Sequence, residues 1–276
     1  MSPSELYIQT PAGRVFVRKH CQHKPNCLLF IHGFLAHGHW WDWVLPTISD
    51  DFDWITIDLP GMGQSEHLSS YAIDDLAAAL NTVVASIADT HAVYLVAHSF
   101  GALVAGHALL QAPTLARGMY CIDMTLMHLS IASQPGHLPH YPIRHYPQKQ
   151  TLIERFKLLP PETTCPKDRL HNVAANSLKH TPKGWAWSFD PTIWNISKTN
   201  VYDAFVSACQ KHRWFMGLIM GEASTVTHRE RTRDHWEDMV TYPHPQTLVL
   251  PGYHHLMLDC PEALATAIKT QFKEMS

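Results

Sequence analysis

Residues 93–106 read VYLVAHSFGALVAG, and this stretch decides the fold. An apolar, β-branched run stops at Ser99, and an Ala-, Gly- and Leu-rich helical pattern begins at once. A serine at such a strand-to-helix corner lies on a strained turn, which exposes its hydroxyl above the sheet and over the helix N-terminus. Small residues must flank it because the chain turns back tightly, and Ala97 and Gly101 meet that need. The segment therefore predicts a nucleophile elbow.

Three further motifs accompany the elbow. An apolar strand at 27–31 runs into HGF at 32–34, and a strand end at 57 leads into DLPGMGQS at 58–65. Near the C-terminus, TLVLPGY at 247–253 is followed by two histidines. This series resembles the α/β-hydrolase superfamily, which has HG-x after the third strand, D-x-P-G-x-G-x-S after the fourth, the elbow after the fifth and a late histidine. Four motifs in the right order are far more specific than any one of them.

The resemblance implies an α/β fold with a mostly parallel central sheet, flanking helices and a small helical cap. Alternating strand and helix patterns agree with it, because such alternation predicts a parallel sheet with right-handed crossovers. Strands are expected at 6–9, 14–18, 27–31, 53–57, 93–97, 118–123, 214–220 and 246–250, and helices at about 40–49, 73–88, 101–111 and 261–272. Prolines interrupt the pattern from about residue 130. We therefore expect a core of residues 1–129 and 201–276 and a cap of residues 130–200.

The composition suits one catalytic domain. A chain of 276 residues can hold a large α/β domain with an inserted cap, and 46% hydrophobic with 16% charged residues suits a buried parallel sheet. A net charge of -3 gives no electrostatic reason to expect nucleic acid or an anionic membrane as partner. The N-terminal residues lack the pattern of a signal peptide, and no apolar run approaches the length of a membrane span.

The six cysteines are scattered along the chain, and three of them lie in or beside apolar strand patterns. This distribution is typical of reduced, buried thiols and leads us to expect a cytoplasmic protein. A Cys21–Cys27 bridge stays open. We expect a small-molecule, ester-like substrate and neither nucleic acid nor membrane as partner, while the sequence leaves both a monomer and a homodimer open.

A serine hydroxyl is a poor nucleophile at neutral pH and needs a base within hydrogen-bond reach. His254 is the candidate base because it follows a strand and a Pro-Gly pair. Pro261 opens the last helix seven residues later, as in the superfamily's G-H-x(6)-P region. Tyr253 departs from that pattern, which commonly has glycine there. The neighbouring His255 is the alternative base.

The third member of a triad is an acid that orients the imidazole and stabilises its charged form. Most of the superfamily carries this acid after the seventh sheet strand, in a segment like G-[ED]-x-D. Here the segment at 221–224 reads GEAS, and Ser224 cannot supply a negative charge. Asp123 follows the sixth strand, where some superfamily members place their acid, and it is the predicted triad acid. Glu222, another acid or a Ser–His dyad are the alternatives.

The resemblance assigns the oxyanion hole to two backbone N–H groups, those of Phe34 and Phe100. We expect the substrate pocket to include Trp40, Trp185 and Trp187, because tryptophans cluster after the first loop and in the cap. The same side chains could instead anchor the cap on the core. The histidine-rich segments lack Cys or carboxylate partners at metal-site spacing, so we expect neither a metal nor another cofactor.

Together these residues predict a serine hydrolase that cleaves a carboxylic ester or thioester of a small, apolar substrate. Ser99 would form the acyl-enzyme, His254 would act as base and then as acid, and Asp123 would orient it. A carbon–carbon bond hydrolase uses the same residues and stays open. A cofactor-free dioxygenase of this fold and a non-catalytic ligand-binding homologue also stay open. Dehalogenases and epoxide hydrolases of the superfamily have an aspartate at the elbow, and Ser99 argues against both.

Overall fold

The computed structural model describes residues 3–124, 126–134, 142–227 and 246–273. Ten strands lie within these residues: β1 (Ser4–Thr10), β2 (Gly13–His20), β3 (Asn26–Ile31), β4 (Asp53–Ile57), β5 (Ala92–His98), β6 (Gly118–Ile122), β7 (Leu178–Thr181), β8 (Gly184–Trp187), β9 (Phe215–Gly221) and β10 (Gln246–Leu250). Eight of them form one sheet in the order β1-β2-β4-β3-β5-β6-β9-β10. Among the described residues, the antiparallel pairs of this sheet are β1–β2 and β2–β4, and the other five neighbouring pairs are parallel. The predicted mostly parallel sheet is confirmed.

The helices of the described residues flank this sheet. They are α1 (Leu45–Ile48), α2 (Ile73–Ala88), α3 (Phe100–Gln111), α4 (Lys149–Arg155), α5 (Lys167–Asn176), α6 (Tyr202–His212), α7 (Leu256–Asp259) and α8 (Pro261–Lys273). Short 3₁₀ helices lie at Gly38–Trp41, Leu126–Ser130 and Pro191–Asn195. The single helix expected at about 40–49 is wrong, since a 3₁₀ turn and α1 replace it. Pro46, in the first turn of α1, lacks the N–H that a continuous helix would need there.

Strands of the sheet are buried on both faces. In β3, Cys27, Leu29 and Ile31 pack into the core beneath α2, α3 and α6. Leu28 and Phe30 point to the opposite core, beneath α1, α7 and α8. Burial on both faces is typical of parallel sheets and explains why these strands are continuous apolar runs in the sequence.

The chain between β6 and β9 contains α4, α5, the β7–β8 hairpin and α6. The hairpin forms a two-stranded antiparallel sheet outside the main one, in addition to the helices expected there. This segment is attached to the core because Asp190 N donates to Gly61 O at 2.7 Å and Tyr71 Oη donates to Asp190 Oδ2 at 2.8 Å. The cap boundaries at 130 and 200 remain a prediction, and residues 135–141 of that range lie outside the described residues.

All six cysteines are free thiols, so the Cys21–Cys27 bridge that the sequence left open is not formed. In the part of the chain that the structure describes, no helix has both the length and the apolar character needed to cross a bilayer. The carboxyl ends of β3, β5, β6, β9 and β10 meet at one edge of the sheet. In α/β sheets this edge is where ligands bind.

Candidate active site

Ser99 lies at the corner between β5 and α3. Its backbone has φ 49° and ψ -117°, a strained combination for a residue with a side chain. The turn is held because Ser99 N donates to Ile122 O, on the neighbouring β6, at 3.0 Å. A Cβ at Gly101 would lie 2.5 Å from His32 O, so only glycine lets α3 begin this close to β3. These contacts hold a half-buried Ser99 at the carboxyl edge of the sheet.

His254 lies on the turn after β10 and is only 4% exposed. Its Nδ1 is 2.6 Å from Oδ2 of Asp123, a fully buried carboxyl group just after β6. Because a carboxylate only accepts, Nδ1 carries the hydrogen of the neutral ring and Nε2 keeps a lone pair. Ser99 and His254 line one cavity. The structure therefore brings the predicted nucleophile, base and acid together in one site.

The Asp123 carboxylate has three further donors. Oδ1 accepts from Gly221 N and from Thr227 Oγ1, each at 2.9 Å. Oδ2 accepts from Ser224 Oγ at 2.5 Å in addition to His254. A buried carboxylate is tolerated where hydrogen bonds of this kind compensate for the lost water. The four donors match the acceptor positions of an ionised carboxyl group.

Ser224 occupies the position where most of the superfamily carries its acid. It donates to the same oxygen of Asp123 that faces His254, so the two positions are in direct contact. The alternative acid, Glu222, is exposed, and its backbone N–H donates to Leu250 O at 2.8 Å. The structure thus brings Asp123 to His254, and Ser224 supports that carboxylate. The sequence showed Ser224 only as a missing acid, because a contact between two strand ends has no local pattern.

Two other buried histidines pack against His254. His98 Nε2 donates to the backbone oxygen of His254 at 2.9 Å, and burial holds the pKa of His98 well below its ordinary value. His255 Nε2 donates to Pro160 O at 3.2 Å, and burial lowers the pKa of His255 to about 3. Both rings are therefore neutral at pH 7. His254, not the alternative base His255, is the one that faces Asp123.

The predicted oxyanion donors belong to Phe34 and Phe100, which line a cavity together with Ser99. Phe100 is the first residue of α3, so its N–H has no partner inside the helix. Phe34 lies on the loop after β3, which His32 braces by donating from Nδ1 to Gly33 O at 2.7 Å. The two phenyl rings meet edge to face with centroids 5.2 Å apart. The two predicted donor residues are thus in contact beside Ser99.

Two cavities meet at Ser99 and Phe34. The larger has a volume of about 550 Å³ and mostly apolar walls, including Leu103, Met124 and Trp194. The smaller has a volume of about 110 Å³ and includes His254 in its lining. The candidate nucleophile therefore lies between a large apolar compartment and a small compartment beside the candidate base.

The three tryptophans expected in the substrate pocket are separated. Trp40 lines the smaller cavity together with Ser99. Trp187 lines a different cavity, of about 360 Å³, and Trp185 lies beneath Lys149, whose Nζ is 5.2 Å from the ring centre. The structure does not bring Trp185 and Trp187 to these two cavities. No feature of the sequence distinguishes them from Trp194, which does line the larger one.

Ring nitrogens of His98, His254 and His255 lie within 4.8 Å of one another, close enough for one metal ion to contact all three. One nitrogen of each ring is already hydrogen-bonded. His254 bonds to Asp123, His98 to the backbone oxygen of His254, and His255 to Pro160 O. An ion would have to use the remaining nitrogens, including the Nε2 lone pair that a catalytic His254 needs. The expectation of a metal-free protein stays a prediction.

A sequence profile of the alpha/beta hydrolase fold matches residues 26–210, which is more than half of the chain. The protein belongs to this family, and this confirms the resemblance and the fold class inferred from its motifs. Among solved structures, the thioesterase domain from the curacin biosynthetic pathway has a TM-score of 0.79 at 20% identity. The superposition covers 97% of this chain and 99% of the thioesterase domain. At that identity the likeness concerns the fold alone.

Two curated relatives share shorter segments. Pimeloyl-[acyl-carrier protein] methyl ester esterase of Methylococcus capsulatus is 35% identical over 109 residues, which is 40% of this chain and 41% of that protein. Epoxide hydrolase 1 of Caenorhabditis elegans is 29% identical over 122 residues, which is 43% of this chain and 30% of that protein. The chain thus spans less than half the length of either relative.

Proposed function

We propose that this protein is a serine hydrolase that cleaves a carboxylic ester or thioester through an acyl-enzyme at Ser99. The observation that carries the proposal is the 2.6 Å contact between His254 Nδ1 and the buried Asp123 carboxylate, in a site whose serine lies on a strained elbow. The relatives are named as a hydrolase and an esterase, which supports a hydrolytic reaction.

The first half-reaction forms the bond from Ser99 Oγ to the acyl carbon and breaks the bond from that carbon to the leaving oxygen or sulfur. His254 Nε2 accepts the proton of the Ser99 hydroxyl while Oγ bonds to the carbonyl carbon. The carbonyl oxygen becomes an oxyanion, which the N–H groups of Phe34 and Phe100 stabilise. One such donor is worth about a hundred- to a thousand-fold in turnover. His254 then passes the proton to the leaving oxygen or sulfur, and the acyl group stays on Oγ.

The second half-reaction replaces the leaving group with water. His254 Nε2 accepts a proton from a water molecule whose oxygen bonds to the acyl carbon. The bond to Ser99 Oγ then breaks, Oγ takes the proton back, and the carboxylic acid leaves. Asp123 keeps Nδ1–H oriented in both half-reactions and stabilises the imidazolium that forms twice.

The two cavities indicate which part of a substrate would bind on each side of Ser99. The general acid must lie within hydrogen-bond reach of the atom that it protonates, so the leaving group belongs beside His254. That side of Ser99 offers only about 110 Å³, which suits a small alcohol, while about 550 Å³ with mostly apolar walls suits an acyl chain. The Methylococcus relative acts, by its name, on a methyl ester, which supports this orientation.

Cofactor-free dioxygenase chemistry is the second candidate, because Asp123 follows β6 as in the dioxygenases that the sequence resembles. In that reaction the His254–Asp123 pair would deprotonate an organic substrate, and Ser99 would carry no acyl group. A carbon–carbon bond hydrolase would use the same residues on a different substrate. Trapping of an acyl-enzyme separates the ester hydrolase from the dioxygenase.

The test is acid release from methyl hexanoate by the wild type and by Ser99→Ala, Asp123→Asn and Glu222→Gln, with fluorophosphonate labelling of Ser99 as a second readout. We expect Ser99→Ala and Asp123→Asn to lose about a thousand-fold or more of kcat. Glu222→Gln removes an exposed carboxylate of the same loop and should keep wild-type activity. Loss of activity in Glu222→Gln would contradict the acid assignment. Oxygen uptake without acid release would contradict the hydrolase.

A further inference from the structure

The larger cavity contains one unusual lining residue. Its walls are mainly apolar, and Ser99 is one of the residues that line it. Lys198 is the one residue with a permanent charge among the described residues that line it. A charged group in an apolar wall is unfavourable unless it is paired or reaches water. A lysine there needs an explanation that apolar packing alone does not supply.

The backbone of Lys198 is fixed beside the cavity. Lys198 N donates to Ser133 O at 3.1 Å, and Ser133 N donates to Lys198 O at 2.9 Å. Ser133 also lines the cavity, so this bridge joins two segments of its wall. Lys198 is half-buried in this position, and burial holds the pKa of its ammonium below the ordinary value. Within the described ranges, no carboxylate offsets that burial.

Lysine stems often cover apolar surface while the ammonium stays in water, and such a lysine would have no role in binding. Here Lys198 is half-buried and is one of the residues that line the compartment with the candidate nucleophile, so its burial is on the side where a substrate would lie. A positive charge in a low-dielectric wall attracts an anion more strongly than it would in water. A single ammonium matches a monoanion such as a carboxylate, whereas a phosphate dianion would keep an uncompensated charge.

We infer that the substrate carries a free carboxylate on its acyl chain and that Lys198 binds it. The inference rests on the proposed function, because the acyl chain is the part of the substrate assigned to this cavity. Lys198 then determines specificity without touching the reacting atoms. The substrate class becomes the monoesters of dicarboxylic acids, with a small alcohol on one carboxyl group and the other carboxyl group ionised.

The experiment compares monomethyl adipate with methyl hexanoate, because both have a six-carbon acyl chain and only the first carries a carboxylate. We expect the wild type to prefer monomethyl adipate in kcat/KM. Lys198→Met should lower the ratio of the two kcat/KM values about tenfold or more, mainly through the KM of the adipate ester. Lys198→Arg should retain most of the ratio, and Lys198→Glu should reverse it. Lys183→Met, at the exposed turn between β7 and β8, is the matched control.

The outcomes separate the inference from the proposed function. Hydrolysis of both esters with a ratio that Lys198→Met does not change would overturn the inference alone. A wild-type preference for methyl hexanoate would also overturn it. Hydrolysis of neither ester, together with an unlabelled Ser99, would overturn the proposed function and the inference with it. An equal fall of the kcat/KM ratio in Lys198→Met and Lys183→Met would mean that the loss of any positive charge lowers the ratio. This result would contradict a specific contact between Lys198 and the substrate.

Discussion

At the scale of single residues, Asp123 links three parts of the chain: its own turn after β6, the segment after β9 and the turn after β10. Its carboxylate accepts hydrogen bonds from Gly221 at the end of β9, from Ser224 and Thr227 beyond it, and from His254 after β10. Ser224 and His254 share one oxygen, with distances of 2.5 and 2.6 Å. Because both bond to the same oxygen, Ser224 Oγ and His254 Nδ1 are no more than about 5 Å apart.

This geometry predicts that the acid can be moved between strands. We expect Asp123→Asn to lower kcat about ten-thousand-fold, because an amide stabilises the wrong tautomer of His254. Adding Ser224→Asp to that variant should recover about tenfold or more, because it supplies a carboxylate beside Nδ1. Steady-state kinetics on methyl hexanoate measure both effects.

The matched control adds Thr225→Asp to Asp123→Asn, because Thr225 is the exposed neighbour of Ser224. It introduces the same charge into the same loop without aiming it at the ring. Equal recovery in the two double variants would mean that any nearby negative charge suffices. No recovery in either would mean that only the path from β6 holds a productive carboxylate.

At the scale of elements, one short contact joins the cap segment to the core. Gly61 has φ 81°, and a Cβ there would lie 2.5 Å from the Tyr71 ring, so the loop after β4 requires glycine. Gly61 O accepts from Asp190 N, and Asp190 Oδ2 accepts from the Tyr71 hydroxyl. The 3₁₀ helix that begins after Asp190 carries Trp194 into the larger cavity. This contact therefore helps to position one wall of the larger cavity.

The Asp190 carboxylate gives this contact a pH dependence. Burial raises its pKa, but hydrogen bonds from Thr192 N–H and the Tyr71 hydroxyl outweigh burial and lower it. A folded-state pKa below the unfolded value of about 4 gives stability that is present above pH 4 and is lost as the pH falls through the folded-state value. We expect Asp190→Asn to lower the free energy of unfolding by about 1 to 2 kcal/mol at pH 7. Urea titrations should find this difference shrinking between pH 5 and pH 3.

Asp89→Asn provides the comparison, because Asp89 is an exposed carboxylate at the end of α2. The free energy of unfolding of this variant should follow that of the wild type at every pH. A difference between wild type and Asp190→Asn that stays constant from pH 7 to pH 3 would mean that the shape of the side chain, and not its charge, supports the cap.

Element by element, the main sheet could be predicted from the sequence, whereas the hairpin could not. Strands such as β3 and β5 are buried on both faces, so the fold requires long apolar runs that are visible in the chain. The four-residue strands β7 and β8 are partly exposed, and their apolar and polar residues alternate only weakly. Pro182, in the turn between them, does not single out a hairpin, because proline is common in loops of every kind. Their pairing depends on packing in the cap and not on local preference.

At the scale of the whole molecule, α8 closes one face of the sheet. Phe272, 4% exposed, meets the rings of Phe52, Tyr94 and Tyr120 with centroids 5.0, 4.6 and 5.2 Å apart. Tyr94 and Tyr120 belong to neighbouring strands, and Phe52 immediately precedes β4. One side chain near the C-terminus thus connects parts of the chain that are far apart in sequence.

We expect Phe272→Ala to lower the free energy of unfolding by about 3 to 5 kcal/mol, because it leaves a cavity among these rings. That is a large part of the 5 to 15 kcal/mol typical of a folded domain. Urea denaturation followed by tryptophan fluorescence measures it, with Thr270→Ala on the exposed side of α8 as control. A loss below about 1 kcal/mol would show that α8 repacks and that the cluster is not a single unit.

Like the fold, the candidate site could be predicted from the sequence only in part. Ser99 and His254 lie in short motifs, because tight turns impose small residues at fixed spacing around them. The contact between Ser224 and Asp123 joins residues 101 positions apart, and only the order of β6 and β9 in the sheet brings them together. Lys198 likewise reaches the larger cavity through the bridge to Ser133. Such tertiary contacts depend on the whole fold and have no local signature.

The two unequal cavities at Ser99 have a kinetic consequence. In the proposed reaction, the compartment of about 110 Å³ beside His254 is open to any small hydroxyl compound once the first alcohol has left. Water that enters it completes hydrolysis, whereas methanol or ethanol that enters it takes the acyl group and forms a new ester. An esterase that works as proposed should therefore exchange small alcohols between esters, and the partition between exchange and hydrolysis would measure how strictly that compartment selects by size.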